Sequence, residues 1–548
     1  MASALTVRPQ ERAAPLLLAA AALVVFTVAL GRGSLWDQDE AKYTEVARAI
    51  VQRGDPITLY SNGEPWFVHP PLYMWLVAAT GALFGFTEFT ARIWSALFGT
   101  AGVLVTVLLA RRLYDLRTGL LAGLILTTML EYFLLARMAV FDVPLVVFML
   151  LALYMVVAAE QATSGPDRRR AYRWAFVWAG LGTLTKGPIA LLLPAMVLVV
   201  WWLLQGRLRE RLQALPWEGL VIYGLIGLSW YGIEAALHGR AFLRTAVGYY
   251  LFTRFFGVVE NQPGPWYYYL PVLAAGAFPW SALLPSACVY HWRRARRHGD
   301  SLLLLLWMGI GLLFYSAAGT KLPNYILPIL PVAVVAIARL GTAALWEGDS
   351  RAAALLRWSG AVLLAVTGFL VLAVAELGAR QAPGHYASLR PQLRLLALPV
   401  AGGATVAAGL MAWRRHAPAL AALAATMVAS LGILVFVVLP AVELLKPMKP
   451  LALALRAQLR PGDRIVGAGL SDRASLVFYS GRRVQWVAPR EAEVRRAICG
   501  PGRAYLVLAR DEYDRWARRA FAGALVPVAS RGDVVALRTL LPLRCASP

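Results

Sequence analysis

Three carboxylates crowd together just after the first apolar segment of the chain, which runs from about residue 13 to 30. They are Asp37, Asp39 and Glu40, in a protein otherwise poor in acidic residues. An apolar helix of that length can cross a bilayer, so these acids are delivered to one membrane face. Carboxylates there can orient a substrate or take its proton, which makes Asp39 and Glu40 our catalytic candidates. The competing interpretation is an acidic first turn that stabilises the dipole of a helix beginning near Ala41.

Other ionisable side chains are predicted to lie on the same membrane face. Such residues are costly at membrane depth, so their gathering on one face predicts a polar cavity that opens outward. They are His69, Arg137, Asp142, Lys186, Lys321 and, in the segment 237–267, Arg244, Arg254 and Glu260.

Most of these side chains also have a structural interpretation. Lys186 could reach from the end of a span toward the interface, and Lys321 and Tyr325 could be interfacial anchors. Asp142 could cap a helix, and Arg137 could bind lipid headgroups. The sequence leaves both interpretations open.

The composition predicts a membrane protein. Of 548 residues, 59% are hydrophobic and 15% are charged, and the mean hydropathy is +0.60. The net charge of +24 does not indicate nucleic-acid binding, because most arginines fall between apolar runs, where they fix topology and contact anionic lipid. We therefore expect no nucleic-acid partner.

Clusters of arginine between the apolar runs set the predicted topology. If every cluster faces the cytoplasm, the number of spans between successive clusters must be even. The clusters include Arg8 and Arg12, 111–117, 168–173, 207–211, 293–297, 351–357 and 414–415. This parity gives about 13 spans with the C-terminus outside, and it leaves the short run 71–86 as an interfacial helix. The predicted spans are 13–30, 93–110, 118–135, 140–159, 172–186, 188–205, 217–236, 268–290, 302–318, 324–345, 358–376, 396–413 and 417–440.

The pattern changes near residue 460 to short β-rich runs that alternate with helical ones. Strands are expected at 464–467, 484–487, 504–508 and 533–537, and helices at 474–479, 490–497 and 511–520. The predicted fold is thus an all-α polytopic membrane protein with a small C-terminal periplasmic α/β domain. We expect the transmembrane domain over 1–445, with outer loops at 31–92 and 237–267, and the α/β domain over 446–548.

The cysteines add little to this organisation. Cys288 falls in a predicted span, whereas Cys499 and Cys545 both fall in the outer domain. An oxidising compartment would permit a disulfide between the last two, but the sequence does not decide whether they pair.

An ordered set of motifs between about residues 35 and 330 resembles that of the GT-C class of membrane glycosyltransferases. Within that class the chain most resembles the aminoarabinose transferase branch and, more distantly, the protein O-mannosyltransferases. The motifs are Asp39-Glu40-x-x-Tyr43, Pro70-Pro71-Leu72-Tyr73, Thr185-Lys186-Gly187-Pro188, Pro265-Trp266-Tyr267-Tyr268-Tyr269-Leu270-Pro271 and Lys321-Leu322-Pro323-x-Tyr325.

The resemblance implies an inverting transfer of a sugar from a polyprenyl-phosphate donor to an acceptor at the periplasmic face of the bacterial inner membrane. In the aminoarabinose branch the acceptor is a phosphate of lipid A. An anionic leaving group needs cations to hold it and to stabilise the charge that develops as the glycosidic bond breaks. The candidates for binding the donor phosphate are Lys186, Lys321, Arg137 and His69.

The remaining roles follow from the same resemblance. Asp39 matches the family's catalytic carboxylate, and Tyr43 would follow it by one helical turn on the same face. Asp142 and Tyr325 are expected to line the cavity. The outer loop 237–267 could close over the donor and exclude water, with Arg244, Arg254 and Glu260 as candidate contacts.

Two positions depart from the aminoarabinose pattern. In that branch a metal-binding glutamate and a phosphate-binding lysine usually precede the Pro-Pro pair, whereas this chain has Val68 and His69. The family histidine before the Trp-Tyr-Tyr run is replaced by Glu260-Asn261-Gln262. One histidine does not make a metal site, so we expect no structural zinc and no cofactor, although a divalent metal is not excluded. His69 could hydrogen-bond a phosphate or be an interfacial histidine.

These departures leave the substrate open as well. An enzyme of the same class could use a different donor sugar, or could transfer the sugar to a protein, a glycan or another lipid. A transporter or flippase for a lipid-linked sugar is a second class of function, but it would need polar groups on a path to both faces and commonly shows internal repeats. The sequence shows neither.

Overall fold

The computed structural model describes residues 9–260, 262–380, 388–470 and 473–540. Arg8, Asn261 and Cys545, which entered the predictions above, lie outside these ranges. The described chain forms two compact units. The first unit comprises 1–30, 67–73 and 92–438, and the second comprises 31–66, 74–91 and 439–548.

Helices make up the first unit. Its long apolar runs cannot leave backbone groups unpaired in lipid, and a helix satisfies those groups within one segment. The helices of this unit are α1 (Pro9–Thr27), α4 (Glu88–Leu113), α5 (Leu116–Thr127), α6 (Leu130–Leu135), α7 (Asp142–Gln161), α8 (Gly165–Lys186), α9 (Ile189–Leu204), α10 (Leu208–Ala214), α11 (Trp217–Tyr223), α12 (Ser229–Phe242), α13 (Arg254–Phe256), α14 (Tyr269–Gly276), α15 (Leu284–Ala295), α16 (Gly299–Ala317), α17 (Leu330–Trp346), α18 (Ser350–Arg380), α19 (Arg390–Ala412) and α20 (His416–Ile433).

Among the described residues, eight helices are long and apolar enough to cross a membrane, and one bent pair raises the number to nine. Four shorter apolar helices, at Ala13–Thr27, Leu72–Phe84, Leu116–Thr127 and Ile189–Leu204, coincide with three predicted spans and with the predicted interfacial helix. The chain is therefore a multi-pass membrane protein, as its composition predicts.

Three predicted segments differ in form from what the hydropathy indicated. The expected span 268–290 is two helices bent by 114°, with Pro279 at the break, where proline removes a backbone donor. The expected span 118–135 is divided into α5 and α6. The expected outer loop 237–267 is helical as far as Phe256, because π-helical segments at Gly224–Leu228 and Leu243–Thr253 continue α11 and α12 to α13.

The centre of the first unit is the helical segment Pro323–Trp346, whose apolar stretch is entirely buried. It begins with a 3-10 turn, Pro323–Ile329, and continues as α17. Helices α5, α15 and α16 pack around it. The indole of Trp307 in α16 donates to the carbonyl of Pro328 at 2.9 Å. It serves an oxygen to which Pro331, three residues later, can donate no N–H.

The second unit contains the mixed domain that the sequence predicts. Its elements are α2 (Glu40–Arg53), β1 (Tyr60–Ser61), β2 (Glu64–Pro65), α3 (Leu72–Phe84), α21 (Leu439–Glu443), α22 (Met448–Arg456), β3 (Arg464–Ala468), α23 (Ala474–Ser480), β4 (Val484–Val487), α24 (Glu491–Ile498), β5 (Ala504–Ala509), α25 (Arg510–Glu512), α26 (Arg518–Ala520), β6 (Leu525–Arg531) and β7 (Val534–Thr539). Most of α3 belongs to this unit.

The main sheet of the second unit has the order β4-β3-β5-β7-β6. Strands β3, β4 and β5 are parallel, and β7 pairs antiparallel with β5 and β6. All four strands expected from the sequence are present. Strand β6 was missed, because its Pro527 and polar residues weaken the strand pattern.

The second unit also includes residues that precede the predicted boundary of 445. Residues 31–66 and 74–91 group with the C-terminal residues, and particular contacts explain this. The amide of Asn62 donates to the carbonyl of Val484 at 2.8 Å and accepts from its N–H at 2.9 Å. The Arg48 guanidinium donates to the carbonyl of Phe478 at 2.7 Å.

Two of the three cysteines lie among the described residues. Cys288 in α15 is free, and Cys499 after α24 is disulfide-bonded.

Candidate functional site

A cavity of about 440 Å³ lies within the first unit. Aliphatic and aromatic side chains from α7, α9, α12, α16 and the π-helical segment 243–253 form most of its wall. Its charged and polar lining residues are His69, Asp142, Lys186, Tyr250, Arg254, Thr320, Asn324 and Tyr325. A mostly apolar pocket with a few convergent polar groups is typical of a binding site for a small molecule or a lipid.

Lys186 owes its position to the end of α8. Gly187 has a φ of +108°, a backbone conformation that other residues rarely adopt, and its N–H closes the helix on Thr183. Pro188 then opens the next helix, where its missing N–H costs nothing. The motif Thr-Lys-Gly-Pro therefore ends one span, starts the next and leaves the lysine between them.

The Lys186 ammonium pairs with Asp142 at the first turn of α7. Its Nζ lies 2.5 Å from Oδ1 of Asp142, and the two side chains are 14% and 6% exposed. The amide of Asn324 donates to the same oxygen at 2.9 Å. Asp142 is thus a hydrogen-bonded partner that keeps a cation at the cavity wall.

Arg254 brings a second cation to the cavity. Its Nε donates to the Tyr325 hydroxyl at 2.9 Å, and its other nitrogens reach Glu260 at 3.2 Å and Gln262 at 3.5 Å. The Lys186 Nζ lies 5.1 Å from the centre of the Tyr325 ring. Lys186 and Arg254 therefore flank one tyrosine, from two different helices.

His69 lies beside these cations. Its ring centre is 4.4 Å from that of Phe141, and the Lys186 Nζ lies 5.2 Å from the centre of the same Phe141 ring. Burial, and then the charges of Lys186 and Arg254, hold the pKa of the His69 imidazole well below its ordinary value. In the free protein at neutral pH this imidazole is uncharged.

A metal ion does not fit this place. Val68 offers no ligand atom where the aminoarabinose branch has a carboxylate, and Lys186 and Arg254 would repel a divalent cation beside His69. Within the described ranges, no group of three or more His, Cys, Asp and Glu side chains could hold a metal. The expectation of no metal remains a prediction.

Three cations proposed from the sequence are not among the residues that line the cavity. The Arg137 guanidinium donates to the carbonyls of Val25 and Phe26 at 3.1 and 3.0 Å, at the end of α1. The Lys321 ammonium donates to the carbonyls of Ser316 and Ala318 at 2.7 and 2.6 Å, at the end of α16. Both side chains stabilise helix ends.

Arg244 is the third of these cations. It lies exposed in the segment Leu243–Thr253. Glu260, proposed beside it, is also exposed and pairs with Arg254.

The proposed catalytic carboxylates belong to the second unit. Asp39 precedes the first residue of α2, makes no side-chain capping bond, and accepts from the Tyr43 hydroxyl at 3.0 Å. The expected one-turn spacing of Tyr43 and Asp39 is therefore present. Glu40 is fully buried and accepts from the Trp36 N–H at 3.0 Å. This contact links the first residue of α2 to the turn before the helix, and the catalytic role of Glu40 stays a prediction.

Sequence reasoning missed Asn324 and Gln262. Asn324 occupies the unassigned position of the motif Lys321-Leu322-Pro323-x-Tyr325. Nothing in the sequence indicated that Asn324 and Lys186 both bond Asp142. The signal that could have found it is chemical, since a buried carboxylate paired with lysine still needs further donors.

Sequence comparison matches part of the chain to a known family and most of it to individual relatives. Residues 68–231 match the family described as dolichyl-phosphate-mannose-protein mannosyltransferase. A Pseudomonas aeruginosa protein named undecaprenyl phosphate-alpha-4-amino-4-deoxy-L-arabinose arabinosyl transferase is 33% identical over 71% of this chain and 69% of its own length. A protein of the same name from Pectobacterium carotovorum is 34% identical, over 63% of this chain and 61% of its own length, which is less than two thirds of that relative.

Structural comparison extends the likeness in fold to nearly the whole chain. The crystal structure of ArnT from Cupriavidus metallidurans bound to undecaprenyl phosphate superposes with a TM-score of 0.81 and 23% identity, over 97% of this chain and 99% of that one. The archaeal oligosaccharyltransferase AglB from Archaeoglobus fulgidus gives a TM-score of 0.52 at 12% identity, over 92% and 70%. The predicted fold of a multi-span helical protein with a small C-terminal mixed sheet is confirmed.

Proposed function

The chain belongs to the undecaprenyl phosphate-aminoarabinose arabinosyl transferase family, and from that premise we propose that it transfers a sugar from an undecaprenyl phosphate donor to an acceptor at the membrane surface. The sugar we propose is 4-amino-4-deoxy-L-arabinose, and the acceptor is a phosphate of lipid A. The periplasmic face of the bacterial inner membrane is the proposed place of reaction, because the arginine clusters predict that Asp39, Asp142 and Lys186 lie on that face.

One observation carries the proposal: two cations flank a single tyrosine in an otherwise apolar cavity. A polyprenyl phosphate has an anionic head on a hydrocarbon tail. Lys186 and Arg254 suit the head, and the lining residues Leu145, Ile189 and Phe256 suit the first units of the tail. Phe256 is largely exposed, as expected where a lipid tail would leave a cavity toward the bilayer.

The same cations would act during the reaction. When the glycosidic bond breaks, the departing phosphate gains negative charge, and fixed cations stabilise that charge without reorganising. Asp142, which also accepts from Asn324, holds Lys186, and Tyr325 holds Arg254, so both cations are positioned before the donor arrives. The low dielectric of the apolar wall strengthens this interaction.

We propose that Asp39 acts at the acceptor side of the transfer. If the acceptor is an ionised phosphate, little proton abstraction is needed, and Asp39 would position groups and stabilise positive charge on the anomeric carbon. The Tyr43 hydroxyl, which donates to Asp39 at 3.0 Å, orients this carboxylate. The support for this role is the family motif and the hydrogen bond to Tyr43.

Donor binding tests the proposed function directly. The purified protein in nanodiscs is titrated with undecaprenyl phosphate and with uncharged undecaprenol. We expect Lys186→Gln and Arg254→Gln each to weaken undecaprenyl phosphate binding by about tenfold, the effect of losing one charge-assisted hydrogen bond, and to leave undecaprenol binding unchanged. Arg240→Gln is the matched control, because it removes an exposed arginine of α12 that does not line the cavity.

Equal binding of the phosphate and the alcohol by the wild-type protein would contradict the proposal. Binding of the phosphate followed by its release on the other face, with no sugar transferred, would indicate a flippase instead.

A further inference from the structure

A second cavity, of about 420 Å³, lies wholly within the second unit and is lined by basic and polar residues. We call it the arginine pocket and define it by Arg48, Gln52, Arg456, Leu459, Ser480, Gly481 and Arg482. Arg48 and Gln52 come from α2, Arg456 from the end of α22, and the last three from the end of α23 and the turn after it.

The arginine pocket concentrates positive charge. Among the described residues that line it there are three arginines and no carboxylate. Burial lowers the pKa of Arg48, the charge of Glu45 opposes this, and the charge of Arg456 lowers the pKa further. Arg48 and Arg456 are therefore close enough for their charges to repel each other, and a bound anion would relieve that repulsion.

Glu45 does not neutralise the pocket by itself. Both oxygens of its carboxylate accept from the backbone N–H of Asn62 at 3.2 Å, and its side chain is buried. One carboxylate set behind three guanidinium groups leaves an excess of positive charge facing the cavity.

The geometry of the pocket is partly fixed. The Arg48 guanidinium donates to the carbonyls of Phe478 and Val477 at 2.7 and 3.3 Å and lies 4.9 Å from the centre of the Phe478 ring. Arg456 and Arg482 are exposed and can turn toward a ligand. Gly481 has a φ of +67°, and a Cβ there would meet no atom within 4 Å, so the turn leaves open space.

A purely structural role explains one arginine of the three. Arg48 satisfies the last carbonyls of α23, as a basic residue at a helix end commonly does. Arg456 and Arg482 also line the pocket, and stabilising α23 does not account for either of them. A guanidinium fork matches the oxygens of phosphate in two parallel hydrogen bonds, so phosphate is the ligand group that this set of donors favours.

We propose that the arginine pocket binds a phosphate group of the acceptor lipid other than the one that receives the sugar. This inference rests on the proposed transferase function. It also rests on α2, which carries Asp39 at its start and Arg48 nine residues later, roughly 13 Å along the helix axis. One rigid element would then set the distance between the reacting end of the acceptor and its second anionic group.

The test measures acceptor binding without the donor, so that it does not depend on turnover. The full-length protein in phosphatidylcholine nanodiscs is titrated with lipid A that carries two phosphates and with its monophosphoryl form. The variant Arg456→Gln/Arg482→Gln removes two exposed arginines of the pocket, and Arg518→Gln/Arg519→Gln removes two exposed arginines of α26 as a control. Arg482→Gln alone serves as a milder variant.

We expect the pocket variant to raise the Kd of bisphosphorylated lipid A by about tenfold and to leave the Kd of the monophosphoryl form and of undecaprenyl phosphate unchanged. The single variant should give a smaller rise, and the control none. If this binding pattern is observed but the wild-type protein transfers no sugar to lipid A, the result counts against the proposed function. It still supports the phosphate site in the arginine pocket.

A second arm separates the acceptor from the surrounding membrane as the source of the phosphate. Nanodiscs containing phosphatidylglycerol are compared with pure phosphatidylcholine for lipid that copurifies with each variant. Loss of bound phosphatidylglycerol in the pocket variant, with lipid A binding unchanged, would assign the phosphate to a membrane lipid. Equal lipid A binding and equal phosphatidylglycerol retention in the wild type and the pocket variant would overturn the proposal.

Discussion

Lys186 and Asp142 form a partly buried ion pair that a phosphate must compete with or join. Removing one partner of such a pair leaves an uncompensated charge, and at buried sites this costs about 3 kcal/mol. We expect Asp142→Asn to lower the melting temperature of the ligand-free protein. Undecaprenyl phosphate should then raise that temperature more than in the wild type, because the phosphate supplies the missing negative charge.

Thermal unfolding in detergent, with and without undecaprenyl phosphate, measures both effects. The contradicting result is a smaller ligand-induced rise in melting temperature in Asp142→Asn than in the wild type. Asp142 would then contribute to ligand binding by a contact other than its ion pair with Lys186. Asp167→Asn, an exposed carboxylate in the first turn of α8, is the control.

His69 should make donor binding depend on pH. Its pKa is depressed in the free protein by burial and by Lys186 and Arg254, whereas a bound phosphate favours the charged imidazole and raises that pKa. Binding therefore takes up a proton as pH falls below the ordinary pKa of histidine. Asp142 and Tyr250 also face this region and keep their contacts in the variant tested.

The measurement is the Kd of undecaprenyl phosphate between pH 7.5 and 5.5 in the wild type and in His69→Gln. Because the phosphate itself titrates near pH 6, the ratio of the two Kd values is the informative quantity. We expect the advantage of the wild type to grow several-fold toward pH 5.5. A constant ratio would assign His69 to packing against Phe141.

The sequence predicted the chemistry of some residues and not their partners. The Lys186 motif and Asp142 were both identified, and the structure brings them together. Arg137 and Lys321 carry the same charge on the same predicted face, but their side chains bind the last carbonyls of α1 and α16. The carbonyl or carboxylate that a lysine or arginine side chain reaches depends on how the spans pack against one another. That packing cannot be read from the local sequence.

At the scale of elements, the bend between α14 and α15 depends on a close approach at Gly276. A Cβ at Gly276 would collide with Oε2 of the buried Glu131 in α6. We expect Gly276→Ala to lower stability by about 1–3 kcal/mol, the usual range for overpacking. Glu131→Ala in the same chain should restore part of that loss.

A double-mutant cycle of Gly276→Ala and Glu131→Ala, followed by thermal unfolding, checks this contact. Additive losses would show that the glycine is required for the backbone of the bend and not for contact with Glu131. The control is Gly368→Ala in α18, where a Cβ would meet no atom within 4 Å.

Hydropathy predicted the positions of the apolar helices better than their bends and their ends. The expected span 324–345 matches the helical segment Pro323–Trp346 closely. The expected span 268–290 bends, because a proline breaks it in a way that average hydropathy does not register. The expected outer loop after 236 is helical to Phe256, because no proline interrupts the chain between Pro216 and Pro263.

At the scale of the whole molecule, the arginine clusters make a testable statement about topology. The segment Gly165–Arg170 is predicted to face the cytoplasm and the C-terminal mixed sheet the periplasm. Alkaline phosphatase, which folds only after export, should be active when fused after residue 540 and inactive when fused after 168. Activity of the fusion after residue 168 would show that the topology is the inverse of the predicted one, and it would contradict a periplasmic active site.

The overall architecture was predictable from composition and order of segments, because a membrane restricts a chain to few solutions. The grouping of residues 31–66 with the C-terminal sheet was not. It depends on single contacts, such as the paired hydrogen bonds of Asn62 with Val484, which have no signature in hydropathy or motif.

Turnover by the purified protein tests the central claim most directly. The wild type, Asp39→Asn and, as a control for loss of a carboxylate, Glu64→Gln on the exposed strand β2 receive undecaprenyl phosphate-aminoarabinose and lipid A. Mass spectrometry follows both lipids. The account predicts aminoarabinose on lipid A with the wild type and Glu64→Gln, and at least a hundredfold slower transfer with Asp39→Asn, the scale of losing one group that stabilises charge in the transition state. Failure of the wild type to consume the donor, or equal transfer by Asp39→Asn, would contradict it.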